Sequence, residues 1–100
     1  MQIVMVEFAV GPDRVDACIA AVAEVTTSLA ATQPAFHGAT IHREDESGTI
    51  WNVMRWDSHR AFIEFRDSNA ERIGAALGEF QPRGHMLDIA AVVESESKPA

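Results

Sequence analysis

Phe36-His37-Gly38-Ala39-Thr40-Ile41-His42-Arg43-Glu44 and Thr49-Ile50-Trp51-Asn52-Val53-Met54-Arg55-Trp56 are two runs with apolar, aromatic and β-branched residues, separated by Asp45-Glu46-Ser47-Gly48. Such side chains fit a pleated, half-buried surface. The separator has turn chemistry and hairpin length, so the stretch predicts two antiparallel strands. On the second strand Ile50, Asn52, Met54 and Trp56 point to one face and Trp51, Val53 and Arg55 to the other. If Glu44 pairs with Ile50, His42 falls opposite Asn52 and Thr40 opposite Met54. A His, an Asn and an indole N–H then share one surface.

Working outward, residues 3–10 are apolar except for Glu7 and stop at Gly11-Pro12, which predicts a strand. Asp13 is placed to cap a helix in which Val15, Cys18, Ile19, Val22, Val25 and Leu29 recur at steps of three and four, ending near Gln33-Pro34. Beyond the hairpin, Asp57 offers a second N-cap. Ala61, Phe62, Ile63, Phe65, Ile73, Ala76, Leu77 and Phe80 carry helical spacing, with a break expected at Asp67-Ser68-Asn69. Residues 85–93 read as a last strand in which Leu87, Ile89, Ala91 and Val93 alternate. The order strand, helix, strand, strand, helix, strand is an α+β, ferredoxin-like βαββαβ arrangement on a four-stranded antiparallel sheet. We expect a single domain over residues 1–94 and a flexible tail over the polar residues 95–100.

Two helices cover one face of such a sheet. The first strand is apolar on both: Val4, Val6, Phe8 and Val10 on one side, Ile3, Met5 and Ala9 on the other. A second apolar face left in water invites association, so the pattern predicts a homodimer.

Composition narrows the function. The 100 residues hold 8 Lys+Arg against 15 Asp+Glu, a net charge of −7, with the arginines scattered. That balance gives no footprint for a phosphate backbone and argues against nucleic acid. The lone Cys18 forms no internal disulfide and suits a reducing, cytoplasmic setting. The start lacks a basic leader region, and no apolar run is read as approaching the ~20 residues of a membrane span, so no membrane association is expected. His37, His42, His59 and His85 are not spaced as metal ligands, and His59, in the first turn of a helix, is expected to be solvated.

Polar residues among apolar strand positions are the candidate site. Asn is disfavoured in strands, so Asn52 is either a catalytic hydrogen-bonding group or a structural tie to a loop. Trp56 is a catalytic donor or a core plug. His42 is a general base or a solvated strand-end residue. Glu7 is a buried base, or the partner of Arg55 or another cation. His85 and Met86 line a pocket from the last strand, or Met86, like Met5 and Met54, simply packs.

Gly48-Thr49, Asn52, Trp56-Asp57-Ser58 and Ala61-Phe62, together with residues 36–42, resemble the antibiotic biosynthesis monooxygenase family. The resemblance runs over residues 2–93, with residues 36–62 its specific block. It implies a dimeric α+β barrel. It also implies oxidation of a phenolic, polyketide- or quinol-like small molecule to a quinone by O2 without metal, flavin or haem. Asn52 and Trp56 then stand at the catalytic positions, with His42 beside them. Glu7, Met5, Thr40, Met54, Phe62 and His85 are the expected substrate contacts, Phe62 where many members carry Tyr. A haem-degrading branch of the family uses an Asn at the position of Glu7 and a helix His absent from residues 68–80, so haem is not expected. Two alternatives remain: a cyclase or isomerase of similar substrates, in which His42 or Glu7 moves a proton, and a non-catalytic binding protein.

Overall fold

Alternation along β3 (Thr49–Trp56) is strict in the computed structural model, which describes residues 1–96: Ile50, Asn52, Met54 and Trp56 are buried, and the residues between them are half-buried on the opposite side. β3 is an inner strand, between β2 (Phe36–Glu44) and β1 (Gln2–Ala9). β4 (Arg83–Leu87) pairs with the other edge of β1, and all three pairings are antiparallel. Helices α1 (Val15–Ser28), α2 (His59–Ser68) and α3 (Ala70–Leu77) lie over one face. The ferredoxin-like βαββαβ reading therefore holds, with the second helix divided at Asn69, whose Nδ2 donates to the Phe65 carbonyl (2.9 Å).

The core sits under the helices in two clusters. One joins Val4, Met54 and Trp56 to Phe62 and Phe65, and the other joins Phe8 and Ile50 to Val15, Cys18, Val22, Leu77 and Phe80. Burial pushes the Cys18 thiol up, against a lesser opposing pull from Arg14, so it remains a protonated core residue. Contrary to the sequence expectation, the helical run Pro12–Thr32 is long and apolar enough by composition to cross a membrane. In the fold its Val15, Cys18 and Val22 stripe is buried in the domain core.

The hairpin register differs by one residue from the expected one. Glu44 pairs with Thr49, His42 with Trp51, Ile41 with Asn52 and Thr40 with Val53. A four-residue loop closes the hairpin, with the Ser47 N–H donating to the Glu44 carbonyl (3.2 Å). At the other end a bulge between Phe36 and Gly38 takes up the extra residue. A slip of one exchanges the faces of a strand. His42 and Thr40 therefore lie on the face away from the helices, and Ile41 and Ala39 on the face with Asn52 and Met54.

Three local expectations are also corrected. The cap of α2 is Ser58, whose Oγ accepts from the Ala61 N–H (3.1 Å), while Asp57 pairs with His37. Asp13 lies in a 3₁₀ turn ahead of α1 and caps nothing. β4 ends at Leu87 rather than Val93, because Leu87 pairs with Ile3 and β1 begins one residue earlier. Among the described residues the chain beyond has no strand to join, and Ile89, Val92 and Val93 are 69%, 70% and 93% exposed. His59 is not solvated: its Nε2 donates to the carbonyls of Ile3 (3.2 Å) and Leu87 (3.1 Å), tying β1, β4 and α2 together. Of the expected tail, residues 97–100 lie outside the described residues.

The hairpin tip is anchored through Gly48. Its carbonyl accepts from the N–H groups of Val10 (3.1 Å) and Gly11 (3.0 Å), its φ is +76°, and a Cβ there would fall 2.4 Å from the Gly11 carbonyl carbon. Only glycine fits that backbone and that approach. Gly48→Ala is expected to cost about 2 kcal/mol, lowering Tm by roughly 8–16 °C. Thermal unfolding followed by circular dichroism checks this, and an unchanged Tm would refute the anchor.

Candidate functional site

Between the helix-covered face of the sheet and the helices lies a cavity of about 320 Å³, within the size range of small-molecule sites. β1 contributes Val4, Val6 and Phe8, β3 contributes Asn52 and Met54, and β4 contributes Gly84 and Met86. The helices supply Val25 and Thr26 from α1, Phe62, Phe65 and Arg66 from α2, and Ile73 and Leu77 from α3. Gly84 pairs with Val6, and a Cβ at Gly84 would meet nothing within 4 Å, so the missing side chain leaves space.

Alternation from Ile50 brings Asn52 to this face, where it is 5% exposed and the one buried polar residue among the described residues. Its Nδ2 donates to Thr26 Oγ1 (3.2 Å), and its Oδ1 has no partner. Buried polar groups are nearly always hydrogen-bonded, and leaving one bare costs about 1–3 kcal/mol. An unpartnered amide oxygen in an apolar cavity is what a ligand hydroxyl would complete. Thr26 can hold the amide either way round, because a hydroxyl both donates and accepts.

The structure divides the sequence candidates. Asn52, Met54 and Phe62 line the cavity together. Trp56 lies next to it in the core, fully buried, with Nε1 unpartnered. Its indole packs against Phe62 (5.9 Å between centroids) and Phe65 (5.1 Å), and it borders a second, more open hollow of about 340 Å³ behind Phe65. His42, Thr40, Met5, Glu7 and His85 are all on the opposite face of the sheet. There His42 is hydrogen-bonded to Thr40 (2.7 Å), and Glu7 pairs with His85 (3.4 Å) rather than with Arg55, which donates to the His37 carbonyl (3.1 Å). These five therefore do not reach the ligand space around Asn52.

Two polar cavity residues escaped the sequence reading. Thr26 had a signal: it follows Val22 by four positions on the inward stripe of α1, a polar residue where apolar ones recur. Arg66 follows Phe62 by four on α2, a relation visible only once Phe62 is known to face a cavity. Arg66 is the one titratable side chain on the cavity wall. Among the described residues no group of three His, Cys, Asp or Glu side chains is placed to hold a metal.

No curated protein matches the sequence. Solved structures do match the fold. A monooxygenase from the gene ActVA-Orf6 of Streptomyces coelicolor, in complex with nanaomycin D, is 20% identical over 94% of this chain and 92% of that chain, with a TM-score of 0.68. Rv0793 from Mycobacterium tuberculosis is 21% identical over 96% and 98%, with a TM-score of 0.69. A Bordetella bronchiseptica protein is 20% identical over 90% and 98%, with a TM-score of 0.72. The family model for antibiotic biosynthesis monooxygenases matches residues 1–80. With the fold and that match together, the chain belongs to the antibiotic biosynthesis monooxygenase family.

Proposed function

We propose that this protein is a cofactor-independent monooxygenase that converts a phenolic aromatic compound to a quinone with O2, and that the orphaned Asn52 Oδ1 in an otherwise apolar cavity is where the substrate hydroxyl binds. The bound hydroxyl donates to Oδ1. When the phenol ionises, the amide can turn so that Nδ2 donates to the phenolate, with the Thr26 hydroxyl donating to Oδ1 in exchange. The electron-rich anion then reduces O2. One oxygen atom enters the ring and the second leaves as water, whose two hydrogens are the hydroxyl proton and the hydrogen of the oxidised ring carbon, so the substrate itself supplies all the electrons.

Trp56 acts in this reading as a positioning residue, setting the Phe62 and Phe65 rings that wall the substrate. The cyclase or isomerase alternative loses its expected bases, because His42 and Glu7 are on the far face of the sheet. The nanaomycin D complex of the Streptomyces coelicolor structure supports a small-molecule ligand in this fold. The lone buried thiol of Cys18 suits the reducing cytoplasm.

We also propose that the active species is a homodimer. Among the described residues no helix covers the face bearing Ile3, Met5 and Val53, and the exposed Ile89, Val92 and Val93 extend from its edge strand. A second copy is the self-complementary way to remove both from water.

Oxygen uptake with anthrone or 1-naphthol in chelator-treated buffer is the direct test. Asn52→Ala should lower kcat/KM by about 10- to 100-fold, the loss of one hydrogen bond to a developing charge. Thr26→Val should produce a smaller loss. Turnover in the absence of oxygen, or an Asn52→Ala enzyme as active as the parent, would reject the assignment. For assembly, light scattering should report twice the chain mass at micromolar concentration. Val53→Asp should yield a folded single-chain species by placing a charge in the centre of the apolar face. A parent protein that is already monomeric would remove the dimer.

A further inference from the structure

Of the sixteen residues around the cavity, three carry polar side chains: Asn52, Thr26 and Arg66. The first two are tied to each other inside. Arg66 differs, since its side chain is 49% exposed while still forming part of the wall, which places it at the rim. Its hydrogen bond runs from Nε to Oδ1 of the adjacent Asp67 (3.2 Å), and that carboxylate is 66% exposed. An exposed pair of that kind is weak and screened by water. Among the described residues the two terminal guanidinium nitrogens have no partner, and these nitrogens form the edge suited to a bidentate acceptor.

Position matters as much as charge. Arg66 follows Phe62 by four on α2 and lines the cavity with Phe62 and Phe65, so its side chain continues the wall to which the two rings belong. In a chain of net charge −7, an anion in solution is repelled at long range. A guanidinium whose two terminal nitrogens are unpartnered among the described residues, at the rim of an apolar cavity, is then a selective local feature.

We propose that Arg66 forms an anion subsite at the cavity rim, and that the preferred substrate is an aromatic hydroxy acid whose hydroxyl reaches Asn52 while its carboxylate pairs with Arg66. This names the substrate class of the monooxygenase site and rests on the reading that aromatic hydroxyl compounds bind beside Asn52. The carboxylate takes no part in the oxidation. It fixes which ring position is held against Asn52, and Asp67 competes with it for the guanidinium.

The test compares two probes that differ in one group, 2-naphthol and 6-hydroxy-2-naphthoate, by titration calorimetry with the full chain. The parent protein should bind the carboxylate about tenfold more tightly, the advantage of a charge-assisted pair in a partly exposed setting. Arg66→Gln should abolish that preference, read as the ratio of the two affinities measured on the same variant. Asp67→Asn should increase the preference several-fold by freeing the guanidinium. Raising salt from roughly 50 to 300 mM should weaken the carboxylate alone. The same preference in Arg66→Gln as in the parent, or no preference in the parent, overturns the rim subsite while 2-naphthol binding upholds the cavity. Failure of both probes to bind overturns the cavity reading and the subsite with it.

Discussion

The pairing of Glu44 with Thr49 at the closed end of the hairpin decides what the rest of the sheet presents to the helices. β3 is paired on both sides, so the register of one hairpin and the register of β1 against β3 together define a single inner surface. Ile50, Asn52, Met54 and Trp56 face the helices as a consequence. Gly48 holds the register from outside, because its carbonyl serves two N–H groups at the β1–α1 junction and its Cα leaves no room for a side chain there. The site around Asn52 thus depends on a loop that contributes nothing to its lining.

Asn52 is the energetic exception in a core that otherwise obeys burial rules. Thirteen of the sixteen cavity residues have no polar side chain, so an unpartnered oxygen there has no protein group to relieve it. A fold selected for stability alone would place an apolar residue at that position. The indole N–H of Trp56 is a second such group, enclosed by Phe36, Phe62 and Phe65. Together they mark the region of the core that carries unsatisfied polar groups at a cost in stability.

The opposite face of the sheet has a different character. Its residues include Met5 and Val53 but also the pairs Glu7–His85 and Trp51–Glu44, in which the Trp51 Nε1–H donates to Glu44 (2.9 Å). Polar groups that satisfy one another in this way leave Met5 and Val53 as the apolar part of this face. The polar residues singled out on the strands therefore separate into a cavity set and a surface set, divided by the sheet itself.

Element order, the βαββαβ arrangement and the bounds of β2 and β3 were legible in the sequence, because hydrophobic period and Gly/Pro punctuation are local properties. So was Asn52, a polar residue breaking a buried alternation, and the apolar character of both faces of β1. Register was not, since a period-two pattern survives a slip of one residue when both faces hold apolar and polar side chains, as in β2, so His42 and Thr40 were assigned to the wrong face. The end of β4 was not legible either: Ile89, Ala91 and Val93 alternate as a strand should, but pairing stops where β1 runs out. Arg66 at the cavity rim required the helix to be docked on the sheet. Chain chemistry alone determined which segments pair and which residue is out of place among them. Tertiary packing decided which side of the sheet each candidate occupies, because the face of a strand residue is set by its neighbours across the ladder and not by its own side chain.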